Sequence, residues 1–286
     1  MSDAESPEGP VPEIPLAALT LDDRSRSRFD VVVDGLVYPC HLDARPGRPL
    51  FVSLNAAVTD EERRSKPVFS RWNYADIFRA QVLCISDPLV LQHPTLSSGW
   101  YLGAPGRDGV QDIVDIVAAV CRAIGLDASR VVFYGSSSGG FAALMAASRM
   151  ERGRAVAINA QTRPFVYGGT PIARLLASAY QPLAGQGDQA FAGPRYDATL
   201  AVAAAIEAGR DLRLILCQNI HDERHYEPQF KALIESLMDR PGFWDLVRDH
   251  RIMPITYDGP PGHTMEPPDM VRRIIGLCHE RLLAAP

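Results

Sequence analysis

The sequence predicts an α/β protein with a mostly parallel central sheet and helices on both faces of that sheet. Three observations support this fold class. Short apolar runs typical of buried strands recur along the chain, segments with helical periodicity separate them, and a hairpin signal precedes them. The chain has 286 residues, of which 47% are hydrophobic and 22% are charged. This composition is ordinary for a globular protein with a sizeable core, and one domain of this size is common among α/β proteins.

The first half of the chain opens with a predicted hairpin. In Phe29–Leu42, two β runs flank an Asp-Gly dipeptide, which is typical of tight hairpin turns because both central positions need positive φ. Pro49–Ala57 and Gln81–Pro88 are apolar runs too short for helices, so they are predicted as buried strands. Gly109–Leu126 carries apolar residues at i, i+3, i+4 and i+7, which predicts an amphipathic helix with a glycine near its C-terminus.

The second half continues the alternation of strands and helices around one irregular segment. Residues 161–196 are rich in Gly, Pro, Tyr and Phe and are predicted as a small lid insertion. One or two helices are expected between Pro228 and Asp249. The other predicted elements are strand Val131–Tyr134, helix Phe141–Met150, strand Ala155–Asn159, helix Ala198–Ala208, strand Leu212–Gln218, strand Arg251–Tyr257 and helix Pro268–Ala284.

The domain prediction is a flexible lead-in over residues 1–25 followed by a single domain over residues 26–286. The lead-in is acidic and proline-rich, and it cannot bury enough apolar surface to order itself alone. It also lacks the basic and apolar regions of a signal peptide, and no apolar run reaches membrane-spanning length. We therefore expect no membrane span.

Charge and cysteine content restrict the partners and the compartment. The net charge is −5 and no Lys/Arg run stands out, so we expect no nucleic acid partner. Five widely spaced cysteines, odd in number and mostly in apolar segments, are typical of free core thiols in a reducing compartment. We therefore predict a cytoplasmic protein. The sequence leaves its oligomeric state open.

The stretch VVFYGSSSGGFAAL carries the strongest functional signal. A serine that acts from a sharp strand-to-helix turn needs small residues two before, two after and three after it, because neighbouring backbone would otherwise collide. Ser137 has Gly135, Gly139 and Gly140 at those positions, whereas a shift to Ser136 or Ser138 places an aromatic residue where a small one is required. Ser137 is therefore the predicted nucleophile.

An alternative for this stretch is a Gly/Ser-rich turn that binds phosphate at a helix N-terminus. The sequence contains neither G-x-x-x-x-G-K-[ST] nor G-x-G-x-x-G, and the motif follows a mid-chain strand. A β run before it and an alanine-rich helix after it are the context that a nucleophilic serine requires. The nucleophile interpretation is favoured over phosphate binding.

A nucleophilic serine needs a base, and the base needs an acid to orient it. His263 lies in a Gly/Pro loop after the last predicted strand, which is where the base is expected. Asp222 follows the preceding strand by four residues and is the predicted acid, with Asp258 as the rival. His221 and His225 flank Asp222, but the HDERH pattern lacks the H-E-x-x-H arrangement, so no metal site is predicted.

The developing oxyanion needs preorganised N–H donors. One predicted donor is the backbone N–H of Ser138, directly after the nucleophile. The second is expected from the loop after the first central strand, where the N–H of Ala56 is the candidate and Asn55 would position the loop. A plain strand-ending asparagine is the alternative interpretation of that residue.

The FYGSSSGG motif around Ser137, the acid at Asp222 and the Gly262-His263 pair resemble the α/β-hydrolase family, from about Phe29 to Ala284. That resemblance implies the α/β-hydrolase fold and serine-hydrolase chemistry on an acyl group, without a metal or organic cofactor. The sequence departs from the family pattern at the predicted oxyanion loop, where Asn55-Ala56-Ala57 occupies the place in which many hydrolases carry His-Gly. SGWYLG, FYGSSSGGFAALMAA and QNIHDERHYE are also similar to α/β-hydrolase-like proteins associated with bacterial surface-glycan genes, which implies acyl groups on sugars as substrate.

The resulting hypothesis is a serine esterase acting on a small-molecule or glycan ester. Two alternatives stay open: an acyltransferase that passes the acyl group to a glycan or another alcohol, and a non-catalytic binding protein on a hydrolase fold. Trp100, Tyr101 and His225 are predicted to line the substrate pocket.

Overall fold

A nine-stranded mixed sheet forms the centre of the protein. The structure is a computed structural model, and it describes residues 11–21, 26–186 and 188–284. The strands are β1 Glu13–Pro15, β2 Arg26–Val33, β3 Leu36–Asp43, β4 Leu50–Leu54, β5 Gln81–Ile85, β6 Val131–Ser136, β7 Arg154–Ile158, β8 Arg213–Asn219 and β9 Ile252–Tyr257. Their spatial order is β1-β2-β3-β5-β4-β6-β7-β8-β9.

The sheet is parallel except for two antiparallel pairs, β2–β3 and β3–β5. β2 and β3 form the predicted hairpin, with φ values of 45° at Asp34 and 83° at Gly35. β3 runs antiparallel to β5, and all neighbouring pairs from β5 across to β9 are parallel. The carboxyl ends of the parallel strands therefore meet at one edge, which is where ligands bind in such sheets.

Helices connect the strands on both faces. They are α1 Ala75–Phe78, α2 Pro88–Gln92, α3 Gly109–Ile124, α4 Ser138–Arg149, α5 Pro164–Tyr167, α6 Gly169–Ala177, α7 Ala198–Glu207, α8 Glu223–His225, α9 Ala232–Met238, α10 Phe243–Arg248 and α11 Pro268–Leu277. π-helical stretches at Tyr226–Lys231 and Cys278–Leu282 continue α8 and α11. Short 3-10 turns occupy Leu16–Ala18, Glu62–Ser65, Ala128–Arg130, Gln181–Leu183 and Asp188–Phe191. Gly125 ends α3 in the left-handed conformation, as the sequence predicts.

Two apolar cores lie on opposite faces of the sheet. One contains the buried faces of α3, α4 and α7, and the other contains those of α1 and α11. All five cysteines are free and buried; Cys40 and Cys121 belong to the first core, and Cys84, Cys217 and Cys278 belong to the second. The prediction of a mostly parallel sheet with helices on both faces is confirmed.

Part of the predicted flexible lead-in is built into the fold. Residues 11–21 include β1, which pairs in parallel with β2, and the apolar side chains of Ile14, Leu16, Leu19 and Leu21 pack against the first core. The expectation that this part is flexible is therefore wrong for residues 11–21, because strand pairing and apolar burial hold it. Residues 1–10 and 22–25 lie outside the described residues.

The segment predicted as a lid contributes to the core as well. Leu175 of α6 and Tyr180 after it are fully buried, and Phe165 stacks on Phe191 at a ring distance of 3.8 Å. Its action as a lid stays a prediction. Among the described residues, no helix has the combination of length and apolar character that crossing a bilayer requires.

Candidate active site

Ser137 is the only residue between the end of β6 and the start of α4. Its backbone has φ 54° and ψ −119°, a region that non-glycine residues rarely adopt and that costs on the order of 1–3 kcal/mol. The Ser137 N–H donates to the Ile158 carbonyl at 2.9 Å, and the hydroxyl makes no capping hydrogen bond to α4. The turn therefore holds the side chain away from the helix N–H groups that a serine at this position ordinarily caps.

The three glycines around Ser137 are needed because atoms of other residues occupy the space that a Cβ would take. A Cβ added at Gly135 would collide with the carbonyl of Gly139, and one added at Gly139 would collide with the carbonyl of Leu54. At Gly140 it would lie 2.8 Å from the Cβ of Ala160. The tight strand–turn–helix geometry predicted for this stretch is present.

His263 and Asp222 are in direct contact. Nδ1 of His263 lies 2.6 Å from Oδ2 of Asp222, which is 1% exposed and follows β8. Burial opposes ionisation of Asp222, but its hydrogen bonds with His225 and His263 outweigh burial and hold the pKa of the carboxyl well below its usual range. Because an ionised carboxylate only accepts hydrogen bonds, His263 donates from Nδ1 and keeps Nε2 available.

The rival acid, Asp258, contacts a different histidine. Its Oδ1 lies 2.8 Å from Nε2 of His221, and both side chains are largely exposed. Asp222 and Asp258 thus hold separate imidazoles, and only Asp222 is hydrogen-bonded to His263 in the part of the chain that the structure describes.

Ser137 and His263 lie at the same edge of the sheet, tied to the loop that follows β7. The Gln161 N–H donates to the Ser137 carbonyl at 3.1 Å, and the Asn159 side chain donates to the Thr264 carbonyl at 3.3 Å. No direct hydrogen bond joins Ser137 and His263 among the described residues. The turn of Ser137 and the loop of His263 are therefore both hydrogen-bonded to the segment that follows β7.

Asn219, which the sequence analysis did not single out, joins the loop after β8, which carries Asp222, to the loop after β9, which carries His263. Its Oδ1 accepts the N–H groups of His221 and Gly259, both at 3.1 Å, and its Nδ2 donates to the Pro260 carbonyl at 2.7 Å. The signal for this residue was its position as the last residue of β8, at the carboxyl edge of the sheet. Asn159, directly after β7, carried the same signal.

The predicted oxyanion donors lie on neighbouring backbone. Ser138 is the first residue of α4, where helix N–H groups have no intrahelical acceptor. The carbonyls of Leu54 and Asn55 face Gly139 closely, so the loop carrying Ala56 runs against the first turn of α4. The Asn55 N–H donates to the Tyr101 hydroxyl at 2.8 Å and is therefore already engaged, and the role of the Ala56 N–H stays a prediction.

Trp100 and Tyr101 are buried supports behind the site. Tyr101 has no exposed surface, and its hydroxyl lies 2.6 Å from Oδ1 of Asn55. Both aromatic residues adopt positive φ, and the Asp87 carboxylate accepts the N–H groups of Gly99 and Tyr101. A side chain without accessible surface does not wall an open pocket, and Tyr101 instead contacts Asn55. Trp100 is 1% exposed and donates from Nε1 to Gln161 at 2.6 Å.

His225, the third predicted pocket residue, is completely buried beside Asp222. Its Nδ1 lies 2.8 Å from Oδ1 of the carboxylate, and its ring stacks on that of His263 at 4.0 Å and 17°. The ligand atoms of these three residues lie within 4.8 Å of one another, close enough to hold a metal ion. However, the Nδ1 atoms of both imidazoles are already engaged with the Asp222 carboxylate. The contacts are those of a hydrogen-bonded cluster.

A buried ion pair involves the segment that follows His263. Arg71 and Glu266 are 2.5 Å apart, and their side chains are 6% and 2% exposed. The Arg71 guanidinium also covers the ring of Tyr134 at 4.9 Å. This pair ties the loop after β4 to the segment that follows His263.

Comparison with known proteins supports the fold. The sequence matches no protein-family profile and none of the curated proteins compared with it. Among solved structures it is similar to the S-formylglutathione hydrolase FrmB of Staphylococcus aureus (TM-score 0.58, 12% identity, 91% of this chain and 99% of that chain). It is also similar to carboxyl esterase 2 of Tuber melanosporum, with a TM-score of 0.59 and 12% identity over 90% of this chain and 87% of that chain.

A third similar structure is the Glycosylation Associate Protein (Gap123) complex of Streptococcus agalactiae, with a TM-score of 0.53, 17% identity and 82% coverage of this chain. The chain spans 42% of the length of that relative. It spans 35% and 38% of the lengths of two similar peptidase structures. Sheet order, helix placement and these similarities agree, and the chain has the α/β-hydrolase fold.

Proposed function

We propose that the protein is a serine hydrolase that cleaves carboxylic esters, with Ser137 as nucleophile, His263 as base and Asp222 as the acid that orients the base. The observation that carries the proposal is the 2.6 Å hydrogen bond between Asp222 and His263, at the sheet edge where Ser137 sits in a strained turn. The esterases and serine hydrolases among the structural neighbours support the same reaction class.

In the proposed mechanism, Nε2 of His263 takes the hydroxyl proton of Ser137 as its oxygen attacks the substrate carbonyl. The backbone N–H groups of Ser138 and Ala56 stabilise the resulting oxyanion. Protonated His263 then gives its proton to the departing alcohol, which leaves an acyl group on Ser137. A water molecule, deprotonated by His263, attacks this ester and releases the acid, and the proton returns to Ser137. No step requires a metal or an organic cofactor.

Hydrolysis is favoured over acyl transfer by the exposure of the base. The side chain of His263 is 38% exposed, which leaves room for water beside an acyl group on Ser137. Transfer of the acyl group to a glycan remains the second candidate because one similar structure is a glycosylation-associated complex. Both candidates share the acyl-enzyme, so adding sugar acceptors and measuring transfer product against free acid separates them.

The decisive experiment is an activity screen with p-nitrophenyl esters and acetylated sugars. We expect Ser137→Ala to lower turnover by about 10³-fold or more. Ser136→Ala is the matched control, since it removes a hydroxyl from the last residue of β6, and it should retain activity. A fluorophosphonate probe should label the wild type and not Ser137→Ala. Full turnover by Ser137→Ala refutes the proposal, and absence of both turnover and labelling in the wild type favours the non-catalytic alternative.

A further inference from the structure

The Asp222 carboxylate has two imidazole partners, one more than the proposed mechanism uses. Oδ2 faces Nδ1 of His263 at 2.6 Å, and Oδ1 faces Nδ1 of His225 at 2.8 Å. Asp222 is 1% exposed and His225 is completely buried, so neither oxygen relies on solvent for a donor.

A chain of side-chain hydrogen bonds fixes the proton on His225. Nε1 of Trp100 donates to Oε1 of Gln161 at 2.6 Å, which turns the Gln161 amide nitrogen toward Nε2 of His225 at 3.3 Å. Because that amide nitrogen only donates, Nε2 of His225 is the acceptor and its proton resides on Nδ1, facing Asp222. Burial lowers the pKa of His225, which keeps this imidazole neutral.

The same histidine sets the plane of the base. The rings of His225 and His263 are 4.0 Å apart and inclined by 17°, and the ring of Tyr167 lies 5.3 Å from that of His225. The charged groups around His225 are Asp222, His263 when protonated, and Arg224, whose guanidinium lies over Tyr167 at 5.0 Å. A completely buried ring with a hydrogen bond at each nitrogen has little freedom to rotate, and it limits the rotation of the ring stacked on it.

Gln161 also connects this arrangement to the nucleophile. Its backbone N–H donates to the Ser137 carbonyl at 3.1 Å, while its side chain contacts His225. Gln161 therefore links the turn of Ser137 to His225. His225 in turn contacts Asp222, which is hydrogen-bonded to His263.

We propose that His225 is a positioning residue for the reaction: it holds the second oxygen of the Asp222 carboxylate and fixes the ring plane of His263, so that Nε2 of the base faces Ser137. This inference rests on the proposed function. It assigns His225 no contact with substrate, in contrast to the pocket role that the sequence predicts.

Two variants separate the two actions of His225. His225→Phe keeps a ring against His263 and removes the donor to Asp222, whereas His225→Asn keeps a short amide donor and removes the ring. We expect kcat of His225→Phe to fall by about 10–100-fold with KM nearly unchanged, and His225→Asn to recover part of that loss. The matched control is His221→Phe, since His221 is half exposed and bonds to Asp258; its kcat and KM should equal those of the wild type. An unchanged kcat in both His225 variants, or a raised KM at constant kcat, overturns the proposal.

A spectroscopic readout keeps this result distinct from failure of the proposed function. In protein with ¹⁵N-labelled histidine, we expect low-field Nδ1–H proton resonances from His225 and His263, with the His263 signal lost in Asp222→Asn and shifted or broadened in His225→Phe and His225→Asn. If the wild type cleaves no ester but the His263 signal responds in this way, the serine-hydrolase proposal fails, and what stands is that His225 orients His263, without a role in ester cleavage. If the His263 signal is identical in wild type and in whichever His225 variant folds, the positioning role is refuted, whatever the activity.

Discussion

Asp222 and His263 are joined by a 2.6 Å hydrogen bond although 41 residues separate them in the chain. The contact forms because β8 and β9 are parallel neighbours, so the loops that follow them leave the sheet side by side. A further hydrogen bond from the Gly262 N–H to the His221 carbonyl, at 3.0 Å, holds the two loops together. Asp222 and His263 are therefore brought together by sheet topology as well as by their own attraction.

Asp222→Asn should lower kcat for ester hydrolysis by about 10⁴-fold, because an asparagine that donates its N–H toward Nδ1 favours the wrong tautomer of His263. Asp258→Asn is the matched control and should stay close to the wild type, since Asp258 contacts the exposed His221. Steady-state kinetics on one p-nitrophenyl ester measures both. The reverse pattern would move the acid to Asp258.

Gly139→Ala should lower the free energy of unfolding by about 1–3 kcal/mol and reduce activity, because the new Cβ collides with the Leu54 carbonyl, next to the loop proposed to supply an oxyanion donor. Gly276→Ala on α11 is the control: nothing lies within 4 Å of the added Cβ, and we expect a gain of about 0.5–1 kcal/mol. Urea unfolding measures both changes. Equal stability of the two variants would contradict the close approach at Gly139.

Glu266→Ala should cost about 3–5 kcal/mol of stability, because it leaves the guanidinium of Arg71 buried without its partner. The exposed pair of Arg248 and Asp245 offers the comparison, and Asp245→Ala should change stability by less than about 1 kcal/mol. Both are measured by denaturant unfolding at neutral pH. A small effect of Glu266→Ala would mean that Arg71 finds solvent when its partner is removed.

Asp87 should make stability fall as pH rises. Burial raises the pKa of Asp87 to about 6, above the value of the unfolded chain, so the folded state binds the extra proton between about pH 4 and pH 6. Its contribution is complete below about pH 4 and is lost as pH rises through about 6, an effect of about 3 kcal/mol. The difference in unfolding free energy between wild type and Asp87→Asn, measured from pH 4 to 7, should decrease by this amount. A flat difference would contradict the shift.

The order of strands and helices was predictable because each element carries its own periodicity, but the exact start of α4 was not. Propensity predicts the helix from Phe141, since glycines weaken helices, whereas α4 begins at Ser138 and includes Gly139 and Gly140. The close approach of Leu54 and Ala160 requires the absence of side chains there. Tertiary contact overrides local propensity at this turn.

β1 was missed for a related reason. Its three residues are too few for a periodic pattern, and their strand conformation depends on pairing with Asp30, Val31 and Val32 of β2. The proline-rich composition around β1 predicts a flexible segment. That prediction applies only to a segment that does not pair with a neighbouring strand.

Within the candidate site, the sequence identified groups by chemistry and chain position, but it did not identify their supports. Ser137, Asp222 and His263 follow strands in the expected order. The contacts of Gln161, Asn219 and His225 depend on side-chain directions across several loops, and no spacing rule encodes them. The aromatic character of Tyr101 predicted a pocket wall. Its side chain is instead buried, and its N–H donates to the carboxylate of Asp87, 14 positions earlier in the chain.

The buried cysteines give the molecule an internal probe of local opening. Burial raises the pKa of every one of the five thiols, so an alkylating reagent reacts only when a segment unfolds far enough to expose sulfur to water. Because Cys40 and Cys121 lie on one face of the sheet and the other three lie on the opposite face, the order in which they are modified identifies the layer of helices that detaches first.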